Sequence, residues 1–303
     1  MRVCPEGFLG LGNAALQRCS EADGEWASID EIGYLETGCP AYCQGIRALM
    51  DGKRLASVVR KQSLPFLEEL CRRDDVFLVD LDAPFGNPGC VIMASGLGRR
   101  FGSNKLMADF RGKPLILRAL DATEGIFERR VVVTRHPEIG ELCRGQGIPV
   151  VFHDMPYRSD TVRLGLQAIM GEIDSCMFCP ADQPLLQWDT VASLALNAFH
   201  EDKFIWRTAY GDGVGSPVTV GSSVSVDSSI TVGSPVMFPK WAFPELLTLP
   251  EGKGGSFVLK KYPGQVRLVP VRDKYELMDV DTPEDLKCLE EHSLTEPSST
   301  AQP

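Results

Sequence analysis

Cys90-Val91-Ile92-Met93-Ala94-Ser95-Gly96-Leu97-Gly98-Arg99-Arg100-Phe101-Gly102-Ser103-Asn104-Lys105 is the stretch on which the fold turns. Its apolar opening, Cys90 to Ala94, predicts a β-strand, and the glycine-rich segment behind it predicts a loop leading toward a helix. Glycine lets backbone N–H groups come close to an anion, while Arg99, Arg100 and Lys105 can add charge-assisted bonds to phosphate oxygens. The spacing is neither that of a P-loop, which ends Gly-Lys-Ser/Thr, nor that of the dinucleotide fingerprint. Three residues, not two, separate Gly98 from Gly102. The loop is therefore expected to hold phosphates in a manner of its own. By itself it could also be an ordinary strand-to-helix turn with basic residues on the surface.

Outward from this loop the chain alternates strand and helix. Downstream, a helix from Pro114, a strand Arg130–Thr134, a helix from Pro137, a strand Pro149–Phe152 and a helix Thr161–Met170 are expected. A strand Ser175–Cys179 and a helix Trp188–Ala198 follow. That rhythm predicts an α/β protein with a doubly wound, mostly parallel sheet. Upstream, a helix Leu64–Cys71 and a buried strand Val76–Asp80 suggest a smaller, partial α/β domain. Two prolines and two glycines in Ala83–Gly89 mark the boundary, giving domains 1–87 and 88–292. The polar tail 293–303 is expected to be disordered. Gly213-Val-Gly-Ser-Pro-Val218 echoes Thr231-Val-Gly-Ser-Pro-Val236, so 211–235 reads as an extended hairpin or inserted loop at the sheet edge. One echo is too little for a repeat architecture.

The 303 residues are 44% apolar and 24% charged, as expected of a globular protein, and carry a formal net charge of −10. An acidic chain is poorly suited to general nucleic-acid binding, so an anionic ligand has to be met by a local basic loop. No stretch approaches the roughly 20 apolar residues of a membrane helix, and the start lacks a signal-peptide core, so a cytoplasmic protein is expected. The ten cysteines are scattered. Cys39 and Cys43, or Cys176 and Cys179, fit core packing better than zinc knuckles.

Two further stretches carry candidate chemistry. Asp182 in Cys179-Pro-Ala-Asp182-Gln-Pro-Leu-Leu186 directly follows a strand. In a doubly wound sheet it would face the crevice at the strands' carboxyl ends, where a carboxylate can hold Mg²⁺ against nucleotide phosphates. It could equally cap a helix. In Met278-Asp279-Val280-Asp281-Thr282-Pro283-Glu284-Asp285, the last four residues open a helix with its own cap. Asp279 and Asp281 are not needed for that cap. One or both could complete a metal site, or both could be a solvated acidic turn.

Taken together, the loop ending Phe101-Gly-x-x-Lys105, the Asp182-Gln-Pro-Leu-Leu186 stretch, Gly233-Ser-Pro-Val-x-Phe238 and Asp279-x-Asp-Thr-Pro-Glu-Asp-Leu286 resemble the MobA-like nucleotidyltransferase family. The resemblance is greatest to the molybdenum cofactor cytidylyltransferases and covers nearly all of residues 88–292. It implies a nucleotide-diphospho-sugar-transferase-like sheet and transfer of CMP from CTP to molybdopterin, a phosphorylated pterin, with release of pyrophosphate. Guanylyl transfer from GTP, another phosphorylated acceptor, or a catalytically silent protein that delivers cofactor to a molybdoenzyme are the alternatives. Arg158-Ser-Asp160-Thr161-Val-Arg-Leu-Gly165-Leu looks like the corresponding stretch of methylerythritol cytidylyltransferases, where a hydroxyl residue lies near bound CTP; otherwise it is a helix with Asp160 as N-cap. By resemblance, Ala94, Ser95, Gly96, Gly98, Arg99, Lys105, Arg158, Thr161 and Asp182 would bind the nucleotide, and Asp182 and Asp281 would hold Mg²⁺. Arg99, Lys105 and Asp182 would be the catalytic residues. Ser95 stands where that family usually has Ala or Gly. His136, His153, His200 and His292 match no motif and are expected to have surface or core roles.

Residues 7–82 resemble part of the THEP1-like nucleoside triphosphatases through Trp26-Ala-Ser-Ile-Asp30-Glu31-Ile-Gly-Tyr-Leu-Glu36, whose Asp-Glu has the character of a Walker B strand. No Gly-x-x-x-x-Gly-Lys-Ser/Thr precedes it. This part is therefore expected not to hydrolyse nucleotides.

Overall fold

The computed structural model describes residues 5–211 and 230–292. The chain forms two compact units, Met1–Val79 and Asp80–Pro303. They part ahead of the proline- and glycine-rich stretch read as the boundary, because that stretch packs on the second unit. Phe85 lies against its core. Gly86, at φ 65°, is so close to Phe199 that a Cβ would come within 2.6 Å of the ring.

In the first unit, α1 (Asn13–Glu21), β1 (Trp26–Ile32), α2 (Pro40–Gly52), β2 (Arg54–Val59) and α3 (Pro65–Cys71) follow one another. β1 and β2 pair in parallel, with α2 as the crossover that parallel strands require. Leu16, Ile32, Ile46, Leu49, Phe66 and Leu67 close the core. Asp30 and Glu31 lie exposed within β1, and Glu31 pairs with Arg60 at 2.5 Å. Val76–Asp80, expected as a buried strand, is irregular, none of its residues is fully buried, and Leu78 is 46% exposed. Among the described residues the sheet of this unit has β1 and β2 alone. Apolar sequence without a ladder partner does not become a strand.

In the second unit, β3 (Pro88–Ala94) leads to a small hairpin of β4 (Asp109–Phe110) and β5 (Lys113–Pro114). Then come α4 (Leu115–Ala122), β6 (Arg129–Thr134), α5 (Pro137–Gly145), β7 (Val150–Phe152), α6 (Arg158–Ile169), β8 (Ser175–Pro180) and α7 (Trp188–His200). The chain continues through β9 (Ile205–Tyr210), β10 (Thr231–Pro239), α8 (Phe243–Leu247), α9 (Ser256–Lys261), β11 (Val266–Pro270) and α10 (Pro283–His292). Seven strands form one sheet in the order β11-β9-β10-β8-β3-β6-β7. Every pairing is parallel except those of β10, which runs against both β8 and β9.

Alternate residues of β3 feed two cores, as a strand covered on both faces must. Cys90, Ile92 and Ala94 pack with Ile116 of α4, Ile139 of α5 and Val191 of α7. Val91 packs on the opposite face with Val162 and Leu166 of α6 and Phe243 of α8. The sheet is thus doubly wound. Cys39, Cys43, Cys176 and Cys179 are all buried in the two units' interiors, and burial pushes the Cys179 thiol up to about 12.

Gly165 lets α6 lie close on the sheet. A Cβ there would come within 2.4 Å of Val91 Cγ1 and 2.9 Å of Val133 Cγ2. Both neighbours are β-branched and stiff, so Gly165→Ala should lower stability by about 1–3 kcal/mol despite alanine's better helix propensity. Denaturant unfolding checks this, and an unchanged midpoint would refute the close packing.

Two local expectations need correction, and others fall outside the described residues. α6 begins at Arg158, three residues before Thr161, so Asp160 is not an N-cap: it lies inside the first turn and accepts from the Tyr157 N–H at 3.1 Å. The strands flanking the inserted segment, β9 and β10, lie inside the sheet and not at its edge, which β11 occupies. Gly213–Val218, the first copy of the echo, lies outside the described residues, as does the expected disordered tail 293–303.

Candidate active site

The carboxyl ends of β3 and β8 open into a cleft of about 590 Å³. It is the place where ligands sit in open α/β sheets. Ser95, Gly96, Gly98, Arg99, Lys105, Arg158, Thr161, Asp182 and Asp281 all line it. Ala94 does not. It is fully buried, and its carbonyl accepts from the Thr134 hydroxyl at 2.9 Å behind the cleft wall.

The loop 95–104 owes its shape to glycine at two positions. Gly98 has φ 56° and its carbonyl accepts from the N–H groups of Phe101 (2.9 Å) and Gly102 (3.2 Å). A Cβ on Gly98 would lie 2.6 Å from the Ser103 carbonyl oxygen, so no other residue fits without moving backbone. Gly102 turns the chain again at φ 81°. The loop then ends on Asn104, whose Oδ1 caps the 3₁₀ turn Lys105–Met107 by accepting from the Leu106 N–H at 3.2 Å. Phe101 packs against the cluster of Phe110, Leu115, Val280 and Leu289, tying the loop to the segment that carries Asp281.

That segment is stitched to the Asp182 turn as well. The Val280 N–H donates to the Asp182 carbonyl at 2.9 Å, and Gln183 Nε2 donates to Asp279 Oδ1 at 2.9 Å. Thr282 and Asp285 cap α10 reciprocally: Asp285 Oδ2 accepts from the Thr282 N–H (2.8 Å) and Thr282 Oγ1 accepts from the Asp285 N–H (3.2 Å). This is the cap expected from the sequence, and it frees both Asp279 and Asp281 for other work. They divide it. Asp281 faces the cleft; Asp279 is exposed and accepts from Gln183, with neighbouring protein and then the Asp182 charge raising its carboxyl above the usual carboxylate value.

Lys105 is the centre of the charge arrangement. Its ammonium is only 2.6 Å from Asp182 Oδ2 and 3.1 Å from Asp281 Oδ1, and the residue is 7% exposed. Burial acts to lower its pKa, but the two carboxylates outweigh burial and hold it above the usual lysine value. Arg100, which no motif singled out beyond its place in the loop, donates to Asp281 Oδ2 at 2.6 Å. Arg99 is exposed on the cleft wall. The expected phosphate-binding cations and the expected metal-binding carboxylates are therefore in one cluster, partly neutralising each other. Two carboxylates converging on one cation with an open cleft in front are a donor set that suits Mg²⁺, which takes one or two protein carboxylates and completes its shell with water and substrate phosphate. Among the described residues no larger group of His, Cys, Asp and Glu is gathered for a metal.

Two histidines thought to lie outside the site support it. His153, one residue past β7, has Nε2 2.8 Å from Ser95 Oγ and 3.2 Å from Thr161 Oγ1. Since Ser95 Oγ donates to the Val133 carbonyl at 3.0 Å, it accepts from His153. Burial and the Arg135 charge lower the His153 pKa and favour the neutral ring. His136 Nε2 is 2.9 Å from the Gly96 carbonyl, and Arg135 Nε donates to the Ser95 carbonyl at 2.9 Å. The available signal was positional: all three residues follow directly on the carboxyl ends of β6 and β7.

A doubly wound sheet with a glycine–arginine loop, a lysine and two acids at its carboxyl edge defines a protein of the nucleotide-handling α/β class. The match to the model of the MobA-like NTP transferase domain runs over residues 90–266, more than half of the chain, which thus belongs to that family. It is 30% identical over 108 residues to a probable molybdenum cofactor guanylyltransferase of Geobacillus sp. (strain WCH70), covering 35% of this chain and 55% of that protein. It is 39% identical over 86 residues to a 3-deoxy-manno-octulosonate cytidylyltransferase of Neisseria meningitidis serogroup B, covering 27% of this chain and 34% of that protein. The chain thus spans about half the length of the first relative and a third of the second. Among solved structures, a nucleotidyl transferase from Methanothermobacter thermautotroptrophicus superposes with TM-score 0.54 at 20% identity, covering 69% of this chain and 98% of that one. A CMP:2-keto-3-deoxy-manno-octonic acid synthetase complexed with CTP gives 0.55 at 15% identity, covering 69% and 99%. These likenesses bear on the fold. No helix among the described residues is long and apolar enough to cross a membrane.

Proposed function

We propose that the chain is a Mg²⁺-dependent nucleotidyltransferase that moves CMP from CTP to a phosphorylated acceptor of the molybdopterin kind and releases pyrophosphate. The observation that carries this reading is the meeting of Lys105 with Asp182 and Asp281 at the foot of the glycine loop. Backbone N–H groups of the loop, with Arg99, would receive the triphosphate, and Lys105 would neutralise charge building on the departing pyrophosphate. Asp182 and Asp281 would hold Mg²⁺, which supplies further charge neutralisation on the phosphates. An oxygen of the acceptor phosphate bonds to the α-phosphorus as the α–β P–O bond breaks, and both electrons of that bond leave with pyrophosphate. The attacking oxygen is already anionic at neutral pH, so the protein's work is positioning and not proton removal. Thr161 and Ser95, held by His153, would meet the nucleoside. CTP is preferred over GTP on the likeness of residues 158–166 to cytidylyltransferases, and relatives of both kinds are similar to this chain.

The test is pyrophosphate release with each of the four NTPs, molybdopterin and Mg²⁺. Release with CTP above the others is expected. Release with GTP alone would move the chain to guanylyl transfer, and none with any NTP, with nucleotide still bound, would favour a cofactor-delivery protein.

A further inference from the structure

Glu276, in the 3₁₀ turn Lys274–Leu277, is a carboxylate only 2% exposed that lies outside the cleft. Its bonds join distant parts of the chain. Oε2 accepts from the Thr190 hydroxyl at 2.6 Å and from the Gln187 N–H at 3.2 Å, and Oε1 accepts from the Arg272 N–H at 3.2 Å. Among the described residues no cation forms an ion pair with it; the Arg272 guanidinium pairs with Asp189 at 2.7 Å. Gln187 is the N-cap of α7 and makes no cap with its own side chain, so the start of α7 takes its anion from a segment 89 residues away. A buried carboxylate without a cation is costly, and an apolar side chain of similar volume would fill the same space without that cost. What the carboxylate adds is direction. Two accepting oxygens shared among three donors fix how the segments they belong to lie against each other.

Those segments carry the two acids of the cleft. Gln187 follows Asp182 by five residues, and Asp281 follows Glu276 by five. Between these ends the segments are laced by Gln183 Nε2, which donates to the Leu277 carbonyl at 3.3 Å and to Asp279 Oδ1 at 2.9 Å, and by the Val280 N–H on the Asp182 carbonyl. Glu276, Gln187 and Thr190 close this seam on the side away from the cleft, whereas Asp182 and Asp281 stand at its open end with Lys105 between them. Without Glu276 the Gln183 and Val280 bonds are left as a pivot about which the 276–281 segment can tilt. Mg²⁺ demands near-ideal octahedral geometry, so two carboxylates meet it only if their separation is held to within about 0.5 Å.

We propose that Glu276 is a positioning residue for the metal site: by bracing the 274–277 turn against the start of α7, it sets the separation at which Asp182 and Asp281 meet one Mg²⁺. This rests on the nucleotidyltransferase reading, which assigns the two acids to Mg²⁺, and adds what holds them in place.

The experiment compares the full wild-type chain with Glu276→Gln and Thr190→Val. The amide keeps the shape of the side chain but has one accepting oxygen for three donors, and the valine removes only the 2.6 Å bond. Mg²⁺ alone is titrated while thermal unfolding is followed, and pyrophosphate release from CTP with molybdopterin is measured against Mg²⁺ well below each Tm. The Mg²⁺ concentration needed for a given rise in Tm, and that for half-maximal release, should both increase about tenfold or more in Glu276→Gln. In Thr190→Val both should increase about threefold. CTP binding measured without metal should be unchanged in either variant, since neither touches the glycine loop. A lower Tm with both Mg²⁺ requirements unchanged would overturn the proposal, because Glu276 would then serve the fold alone. If Glu276→Gln does not fold, Thr190→Val decides by the same criterion. A wild type that responds to Mg²⁺ in neither measurement would instead refute the metal reading of Asp182 and Asp281, and the proposal with it.

Discussion

Asp182→Ala should lower pyrophosphate release by about a thousandfold or more, the scale on which removal of a single charge-stabilising group acts in acyl and phosphoryl transfer. The expectation follows from geometry. Asp182 is the carboxylate closest to Lys105, at 2.6 Å, and it shares that ammonium with Asp281. The fold should survive the change, since the bond that ties Val280 to this turn uses the Asp182 main-chain carbonyl and not its side chain. Nucleotide should still bind, because Gly96, Gly98 and Arg99 are untouched. Asp182→Asn separates charge from shape and should be nearly as inactive as the alanine variant. Turnover of Asp182→Ala within tenfold of wild type would remove Asp182 from the metal site.

Lys105→Met should have the second largest effect, with opposite signs in two measurements. It leaves Asp182 and Asp281 facing each other without the cation between them, although Arg100 still neutralises part of Asp281. Losing one partner of a fully buried pair costs about 3–5 kcal/mol; with Asp182 and Asp281 side chains 21% and 38% exposed, solvent screening should reduce this to about 1–2 kcal/mol. Turnover should fall about a hundredfold, because the leaving pyrophosphate loses its lysine. Binding of Mg²⁺ alone, followed by its effect on Tm, should strengthen, since the ammonium no longer occupies the two carboxylates. If Mg²⁺ stabilises wild type and variant equally, Lys105 and the metal do not compete for the same oxygens.

The glycine loop and the β/α rhythm were legible in the sequence because each depends on local chemistry. Gly98 has to be glycine on account of its own φ and the Ser103 carbonyl, and Cys90–Ala94 becomes a strand because it is apolar on both faces. Asp182 could be placed at the crevice from its position after β8. The division of labour between Asp279 and Asp281 could not, because it depends on Gln183, 96 residues away from Asp279, taking one of them. His153 was missed for a related reason: its partners, Ser95 and Thr161, come from other parts of the chain, so no local spacing marks it. Val76–Asp80 shows the converse. Its composition suits a strand, but strand formation depends on a neighbour, and composition carries no information on that.

The antiparallel course of β10 also bears on how such a chain can change through evolution. Tyr210 and Thr231 face each other as a pair, so the segment between them leaves and rejoins the sheet at one place. Residues added or removed there do not alter the register further along, where Pro239 is held opposite Ser175 and Val236 opposite Phe178. The mouth of the second half of the sheet is thus a position where length can drift freely, whereas the 95–104 loop, pinned at Gly98 and Lys105, has no such latitude. A chain built this way can vary in length beside one half of the sheet without disturbing the loop at the other half.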